Sequence, residues 1–348
     1  NLFMKYLFFL VLIFISFSCS ENKISIDQEP SSITLDNNEY YYGDTITIYG
    51  NALSFFESYV EVRLFSNDTS ISISSDDFLI WNSNNIKILN LFNNSIDSIK
   101  VVKDEVETNS QEIVLFAYPK IMSNIIPSQS FTMGFNQGNS DEIPEHDVTI
   151  SNDLEVSIYE INARLFNLVV NGDPNFSSEI PVSNIDWFEC LYFCNELSKM
   201  QGFEAAYSLN DTSFIGGSNG WRLPTEAEWE MLAKAGENFQ IPNGENLNDI
   251  AWYNENSAYS VKPIGQKLPN DFGLYDIIGN LSEWCWDYYS SNYYSVSPSE
   301  NPYGPESGDF RVRRGGSFDL GKSRLRASYR MRFENDLSNV GFRIVRTP

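Results

Sequence analysis

Histidine is almost absent from this chain of 348 residues; there is one, His146. One imidazole cannot build a metal site that needs three, and a Ser–His–Asp relay would have to be built on that same residue. It stands in "PEHDVTI", at the start of an alternating run, where a structural role is expected. Cysteine is also sparse. Beyond Cys19 there are Cys190, Cys194 and Cys285, an odd number that allows no complete disulfide framework. Cys190 and Cys194 share a helix face at a spacing that seldom bridges without distortion, and they read as small buried apolar side chains. Positive charge is scarce: 23 Lys and Arg against 47 Asp and Glu leave a net charge of −24. So acidic a chain repels a phosphate backbone and an anionic membrane surface, which speaks against nucleic acid and leaves membrane contact to an anchor.

What the sequence does have begins with one apolar run. "MKYLFFLVLIFISFSCS" carries Lys5, then runs apolar from Tyr6 to Ile15. That is too short to span a bilayer and has the length of a signal-peptide core. With Ser16 and Ser18 before Cys19, residues 1–19 resemble a bacterial lipoprotein signal in which Cys19 becomes the lipidated N-terminus. Plain secretion with Cys19 incidental is the alternative. Either way the expectation is export, to a periplasm-facing or outer-membrane lipoprotein or to the cell surface.

Residues 20–30 are polar and end in Pro30, a linker. Residues 31–118 then show short runs of period two separated by Asn, Ser and Asp clusters: "DTITIYG", "YVEVRLF", "NIKILNLF", "SIKVV" and "EIVLFAY". They predict an all-β immunoglobulin-like sandwich. "YYGDTITIYGNALS" resembles the opening of an IPT/TIG domain, a module that serves as spacer or platform. From 119 to 348 the character changes. "EINARLFNLVVNG" places Leu165, Phe166 and Val169 on one helix face and stops at Gly172. Asp186 with Glu189, and Thr225 with Glu228, are reciprocal helix caps. The second of these helices turns Trp229, Leu232 and Ala233 to a core and ends at Gly236. Glu226 and Glu230 are expected on its solvated face. Weak strands are expected near 148–150 and 324–329.

Residues 316–323, "GSFDLGKS", fit the phosphate-loop pattern G-x-x-x-x-G-K-[ST]. Such a loop needs a buried strand before it and a helix after it. "RVRR" reads as no buried strand, and "RLRASYR" alternates like a strand, so no nucleotide is expected.

Five motifs in order are more specific. "FTMGFNQGNSDEIPEHDVTI", "IPVSNIDWFECLYFCNELS", "GWRLPTEAEWE", "NDFGLYDIIGNLSEWCWD" and "RVRRGGSFDLGKSRLRASYR" followed by "NVGFRIVR" together resemble the formylglycine-generating enzyme (sulfatase-modifying factor) family over about residues 129–346. The resemblance implies an α+β C-type-lectin-like fold rich in loops. In the aerobic enzymes two cysteines after the Gly-Gly-Ser-aromatic motif hold copper. Here Leu320 and Leu325 stand at the matching positions, and the family's tryptophan in the Gly-Asn-x-Trp-Glu-Trp motif is Ser282. Leucine offers no metal ligand, so no copper is expected and no catalytic residue is assigned. A related branch uses histidine-held iron, which one histidine cannot supply.

"DIIGNLSE" matches the family's structural calcium loop. The resemblance implies side-chain oxygens from Asp276 and Glu283 and carbonyls from Gly279 and Leu281, hard ligands that suit calcium. The same loop also reads as a tight turn capped by Asn280 with no metal. A second calcium would fall near "NDIAWYNENS", with no residue assigned. Trp221, Trp229, Trp284 and Trp286 read as core rather than as a sugar groove. The arginines from Arg311 to Arg332 read as partners of nearby acids rather than as an anion site. The function expected is a binding or scaffold module at the cell envelope for a protein, peptide or glycan. The alternative is a peptide- or sulfatase-modifying enzyme of the formylglycine-generating type.

Overall fold

The computed structural model describes residues 121–348 apart from 174–177, 238–239, 242–245 and 333–335, together with strand segments between 33 and 116. Cys19, the apolar run 6–15 and the linker 20–30 lie outside the described residues. The chain divides into two units, 1–120 and 121–348. No described helix is long and apolar enough to cross a membrane.

The first unit has strands β1 (Ile33–Leu35), β2 (Glu39–Tyr41), β3 (Thr45–Gly50), β4 (Val60–Ser66), β5 (Thr69–Ile73), β6 (Phe78–Trp81), β7 (Asn85–Leu89), β8 (Ser98–Lys103), β9 (Val106–Glu107), β10 (Gln111–Glu112) and β11 (Val114–Phe116). Antiparallel pairing gives one sheet in the order β1-β3-β7-β6 and another in the order β10-β8-β4-β5, with β9 on β8. β2 and β11 pair in parallel. The alternating runs fall on β3, β4, β7, β8 and β11.

In the second unit, β12 (Ser123–Ile126), β13 (Gln129–Met133), β14 (His146–Ile150) and β15 (Leu154–Ser157) precede helices α1 (Ala163–Asn171) and α2 (Trp187–Met200). Then come β16 (Tyr207–Ser208), β17 (Ser213–Phe214), α3 (Glu226–Lys234), α4 (Leu247–Ile250), β18 (Ser282–Tyr288), β19 (Arg311–Arg314), β20 (Met331–Arg332), β21 (Val340–Gly341) and β22 (Val345–Arg346). The sheet β20-β19-β18-β21 carries the site, and β12-β15-β22 closes the unit by pairing its last strand with an early one.

The helices form where local chemistry satisfies their first N–H groups. Asn162 accepts from the Leu165 N–H at 2.8 Å and opens α1, and Gly172 ends it in the left-handed conformation. Asp186 and Glu189 exchange bonds of 2.8 and 2.7 Å at the start of α2. Thr225 and Glu228 do the same for α3. Each such cap contributes about 1 kcal/mol. α3 closes one residue earlier than its glycine predicts, on a left-handed Ala235. Trp229 anchors one hydrophobic cluster with Met231, Leu232 and Val312; Trp221 and Trp284 belong to a second with Phe193 and Phe342. Trp286 is only partly buried and stacks on Tyr207 at 5.1 Å.

Three local expectations fail. Glu226 and Glu230 are buried, because α3 is enclosed on all sides and arginines neutralise both. "RVRR" is a largely buried strand, β19. Residues 324–329 form no strand: Lys322–Arg324 is a single 3-10 turn, and turns follow it. Leu325 and Ala327 still point to the core, so their alternation records burial and not extension.

Candidate functional site

Three loops meet at Gly279 and Asn280. The Gly279 N–H donates to the Gly315 carbonyl at 2.9 Å, the Asn280 N–H to Trp252 O at 2.9 Å, and the Phe318 N–H to Asn280 O at 2.8 Å. Asn280 thus ties the 276–283 loop to the Gly-Gly-Ser-Phe loop and to residues 252–262, where its Oδ1 also accepts the Lys262 N–H. Gly279 has φ +85°, and a Cβ there would lie 2.4 Å from Trp252 O, so only glycine allows this approach.

The Gly-Gly-Ser-Phe loop leads into Leu320 and Leu325, the two leucines singled out in the sequence. Gly316 (φ +74°) lets Leu325 Cδ2 pack against it; a Cβ would stand 2.4 Å away. Leu325 is fully buried, and Leu320 is partly buried with its carbonyl accepting the Asn254 N–H. Ser282 is buried and bonded to Asn339 O. Around it lies a polar set that sequence reasoning missed. Ser317 Oγ donates to Asp319 at 2.5 Å, Asn339 Nδ2 donates to the same carboxylate at 3.0 Å, and Arg313 donates to Asn339 Oδ1 at 3.1 Å. No sequence pattern marks it, because Asn339 joins a stretch, 313–319, that lies twenty residues before it. Cys190, Cys194 and Cys285 are free and buried, and burial pushes all three thiols above their ordinary pKa.

Beneath the 276–283 loop three acids converge. Asp276 Oδ2 accepts the Gly265 N–H at 2.7 Å, while its buried Oδ1 has no hydrogen-bond partner. Burial pushes Asp276 up to about 6, Glu283 adding to the rise and Arg343 opposing it. Glu283 is engaged: Arg343 Nε lies 2.8 Å from its carboxylate and Trp229 Nε1 2.6 Å. The third acid, Glu160, was not singled out from the sequence. It accepts the Leu281 N–H at 2.9 Å and Asn280 Nδ2 at 2.7 Å. Burial, then Asp276 and Glu283, push its pKa well up. Its signal was an acid inside the apolar stretch Ile158–Ile161. Gly279 and Leu281 lie on the same loop. Among the described residues, no three His, Cys, Asp or Glu side chains could hold a metal ion by themselves.

A second charged cluster underlies β19. Arg314 reaches Glu226 at 2.9 Å and Glu230 at 2.5 Å, Arg330 grips Glu226 at 2.7 and 2.8 Å, and Lys234 pairs with Glu230 at 2.8 Å. Of the arginines from Arg311 to Arg332, Arg314, Arg326 and Arg330 pair with acids, as expected, and Arg311 does not. The remaining candidates do not assemble into a site. His146 bonds Pro144 O and meets Tyr294 edge-on, with no nucleophile beside it. Residues 216–220 read G-x-S-x-G, yet Ser218 is bound to the Glu204 carbonyl and no strand-to-helix elbow surrounds it. The phosphate-loop string lacks its following helix.

Comparison with known proteins agrees with this geometry. Residues 120–348 match the sulfatase-modifying factor enzyme 1-like domain. A Paenibacillus barcinonensis protein named chaperone protein LppX is 28% identical over 244 residues, 58% of this chain and 83% of that one. The formylglycine-generating enzyme of Streptomyces coelicolor is 36% identical over 156 residues, 39% of this chain and 50% of its own length. Among solved structures, Treponema denticola variable protein 1 superposes with a TM-score of 0.59 at 28% identity, covering 65% of this chain and 95% of that one.

Proposed function

The chain belongs to the sulfatase-modifying factor enzyme 1-like family, and from that premise we propose that its second unit is a binding or scaffold module rather than an oxidase, held at the cell envelope. The observation that carries this is Leu325, a fully buried leucine packed on Gly316 where the copper enzymes place a thiolate. Copper(I) needs soft ligands, and a leucine has no lone pair to give. Cys285, the thiol nearest in sequence, is buried with a raised pKa, which disfavours the thiolate form a nucleophile needs. The name of the Paenibacillus relative, a chaperone, supports a role in holding another molecule without converting it. The likeness to the Streptomyces enzyme supports the alternative, a peptide-modifying enzyme of the formylglycine-generating type.

An assay separates the two. The purified protein, supplied with copper(I) and oxygen, is incubated with a Cys-x-Pro-x-Arg peptide beside an authentic formylglycine-generating enzyme. No aldehyde is expected by mass spectrometry. Aldehyde that vanishes in Cys285→Ala would overturn the binding reading.

The reading extends to the rest of the chain. Residues 31–118 would serve as an immunoglobulin-like spacer, and Cys19 as the lipidated anchor of an exported protein. Calcium is proposed as a structural ion at the 276–283 loop. The orphaned Asp276 Oδ1 fits a cation, as does the excess of acid: three carboxylates face one guanidinium, Arg343. Asp276 would hold the ion with the Gly279 and Leu281 carbonyls, while Glu283 would share an oxygen that already meets Arg343. Bound there, calcium would offset buried negative charge and fix the loop.

A further inference from the structure

Asn280 is fully buried, with its backbone in the left-handed region at φ +53°. Its side chain spans two neighbours. Nδ2 donates to Glu160 Oε2 at 2.7 Å and to the Lys262 carbonyl at 3.2 Å, while Oδ1 accepts the Lys262 N–H at 2.9 Å. Glu160 belongs to the acids of the 276–283 loop: its other oxygen accepts the Leu281 N–H, and it feels the charges of Asp276 and Glu283. One amide group therefore joins those acids to the segment 252–262. That segment is joined in turn to the Gly-Gly-Ser-Phe loop. The Ser257 hydroxyl donates to Phe318 O at 2.6 Å, and the Asn254 N–H to Leu320 O at 3.1 Å. Its tip is strained. Ala258 and Tyr259 both have φ +55°, which is costly for a residue with a Cβ, and the Tyr259 side chain is 67% exposed. Ser257 Oγ accepts the Tyr259 N–H at 3.0 Å, so the tip keeps its shape through its anchors.

We propose that Asn280 is a positioning residue that makes the order of this exposed segment depend on a cation at the 276–283 loop. The inference rests on the calcium reading above and names what the ion controls. Three carboxylates around Arg343 repel one another, and Glu160 is the one that Asn280 holds. A cation drawn to Asp276 relieves that repulsion and leaves Glu160 fixed against Asn280 Nδ2. With Glu160 fixed, the Asn280 amide is held in the orientation that bonds both the N–H and the carbonyl of Lys262. The link has a quantitative form. If 252–262 opens only when the ion leaves, calcium at about a hundredfold over its dissociation constant slows that opening by up to about a hundredfold. If the two are independent, calcium leaves the segment as it was.

The test is hydrogen–deuterium exchange of the full chain, without calcium and with calcium at about a hundredfold over the dissociation constant measured for each variant. The Gly265 N–H, which donates to Asp276 Oδ2, reports the ion directly. In the wild type calcium is expected to slow exchange at Gly265 and in 276–283, and to slow 252–262 by at least about tenfold. In Asn280→Gly, where glycine accepts the left-handed backbone, the ion should still protect Gly265 and 276–283 but no longer 252–262. Glu160→Gln takes the charged acceptor from Asn280 Nδ2 without changing its size, and it gives the same reading if Asn280→Gly fails to fold. A merely structural Asn280 would loosen the segment with and without the ion alike and leave the calcium response in place. That outcome, or a wild-type response confined to Gly265 and 276–283, would overturn the proposal while the calcium reading stands. No calcium response anywhere would overturn both.

Discussion

The two buried charge clusters of the second unit are built from the same residue types and reach opposite balances. Under β19, Glu226 and Glu230 meet Arg314, Arg330 and Lys234. Burial alone would raise Glu230, but Lys234 and Arg314 outweigh it and bring its pKa down to about 2. Under the 276–283 loop, Glu160, Asp276 and Glu283 share Arg343, and burial pushes Glu160 and Asp276 up instead. A cluster with its cations built in is finished as a structure. One short of cations must take a proton or a metal ion. The first is framework, and the second is the site for which calcium is proposed above.

The sharpest way to break this comparison is to unbalance the finished cluster. Arg314→Met leaves two glutamates beneath β19 with weakened compensation. It is expected to cost about 3–5 kcal/mol, read from the urea midpoint of the second unit. Adding Glu230→Gln to that variant should recover part of the loss, because the two sites are in contact. A cost below about 1 kcal/mol for Arg314→Met would show that the cluster does not hold the core together.

These clusters also show what a sequence discloses. The capping boxes of α2 and α3 were legible because both partners lie within four residues. The charge partners were not. Arg330 and Glu226 are 104 residues apart, and Glu160 and Asn280 are 120 apart. Glutamates four apart on a helix read as solvated until the arginines that enclose them are known. Alternation misled at Leu325 and Ala327, since two inward side chains separated by one residue also occur in a turn. Arg311 was legible as a basic residue, but its two aromatic neighbours come from α2 and β18, so its place against those rings appears only in the fold.

The next largest effect should come from filling the deficit. Calcium at about a hundredfold over its dissociation constant would add about 2.7 kcal/mol, roughly 5–10 °C in melting temperature for a unit of this size. Asp276→Asn should abolish that gain, and Arg314→Met should not. An equal calcium shift in Asp276→Asn would place the ion elsewhere, and no shift in the wild type would leave the loop a metal-free turn around Asn280.

The pH dependence is the most diagnostic effect, because the two clusters should titrate with opposite signs. Without calcium, Asp276 has a folded pKa near 6 against an unfolded 3.8, so the folded state holds the proton more tightly. Its contribution is present below about 3.8 and is lost as pH rises through about 6. That loss is on the order of 3 kcal/mol, and Glu160 adds to it with the same sign. Glu230 behaves inversely. Its depressed pKa contributes stability present above 4.5 and lost as pH falls through about 2. Calcium-free protein should therefore lose stability between pH 4 and pH 7, by a slope that Asp276→Asn flattens. Saturating calcium should reverse that slope, because the ion competes with the proton for the same oxygen. A denaturation series across this range that is flat in the wild type without calcium would mean that the three acids beneath the loop are already balanced, and the contrast between the clusters would fall.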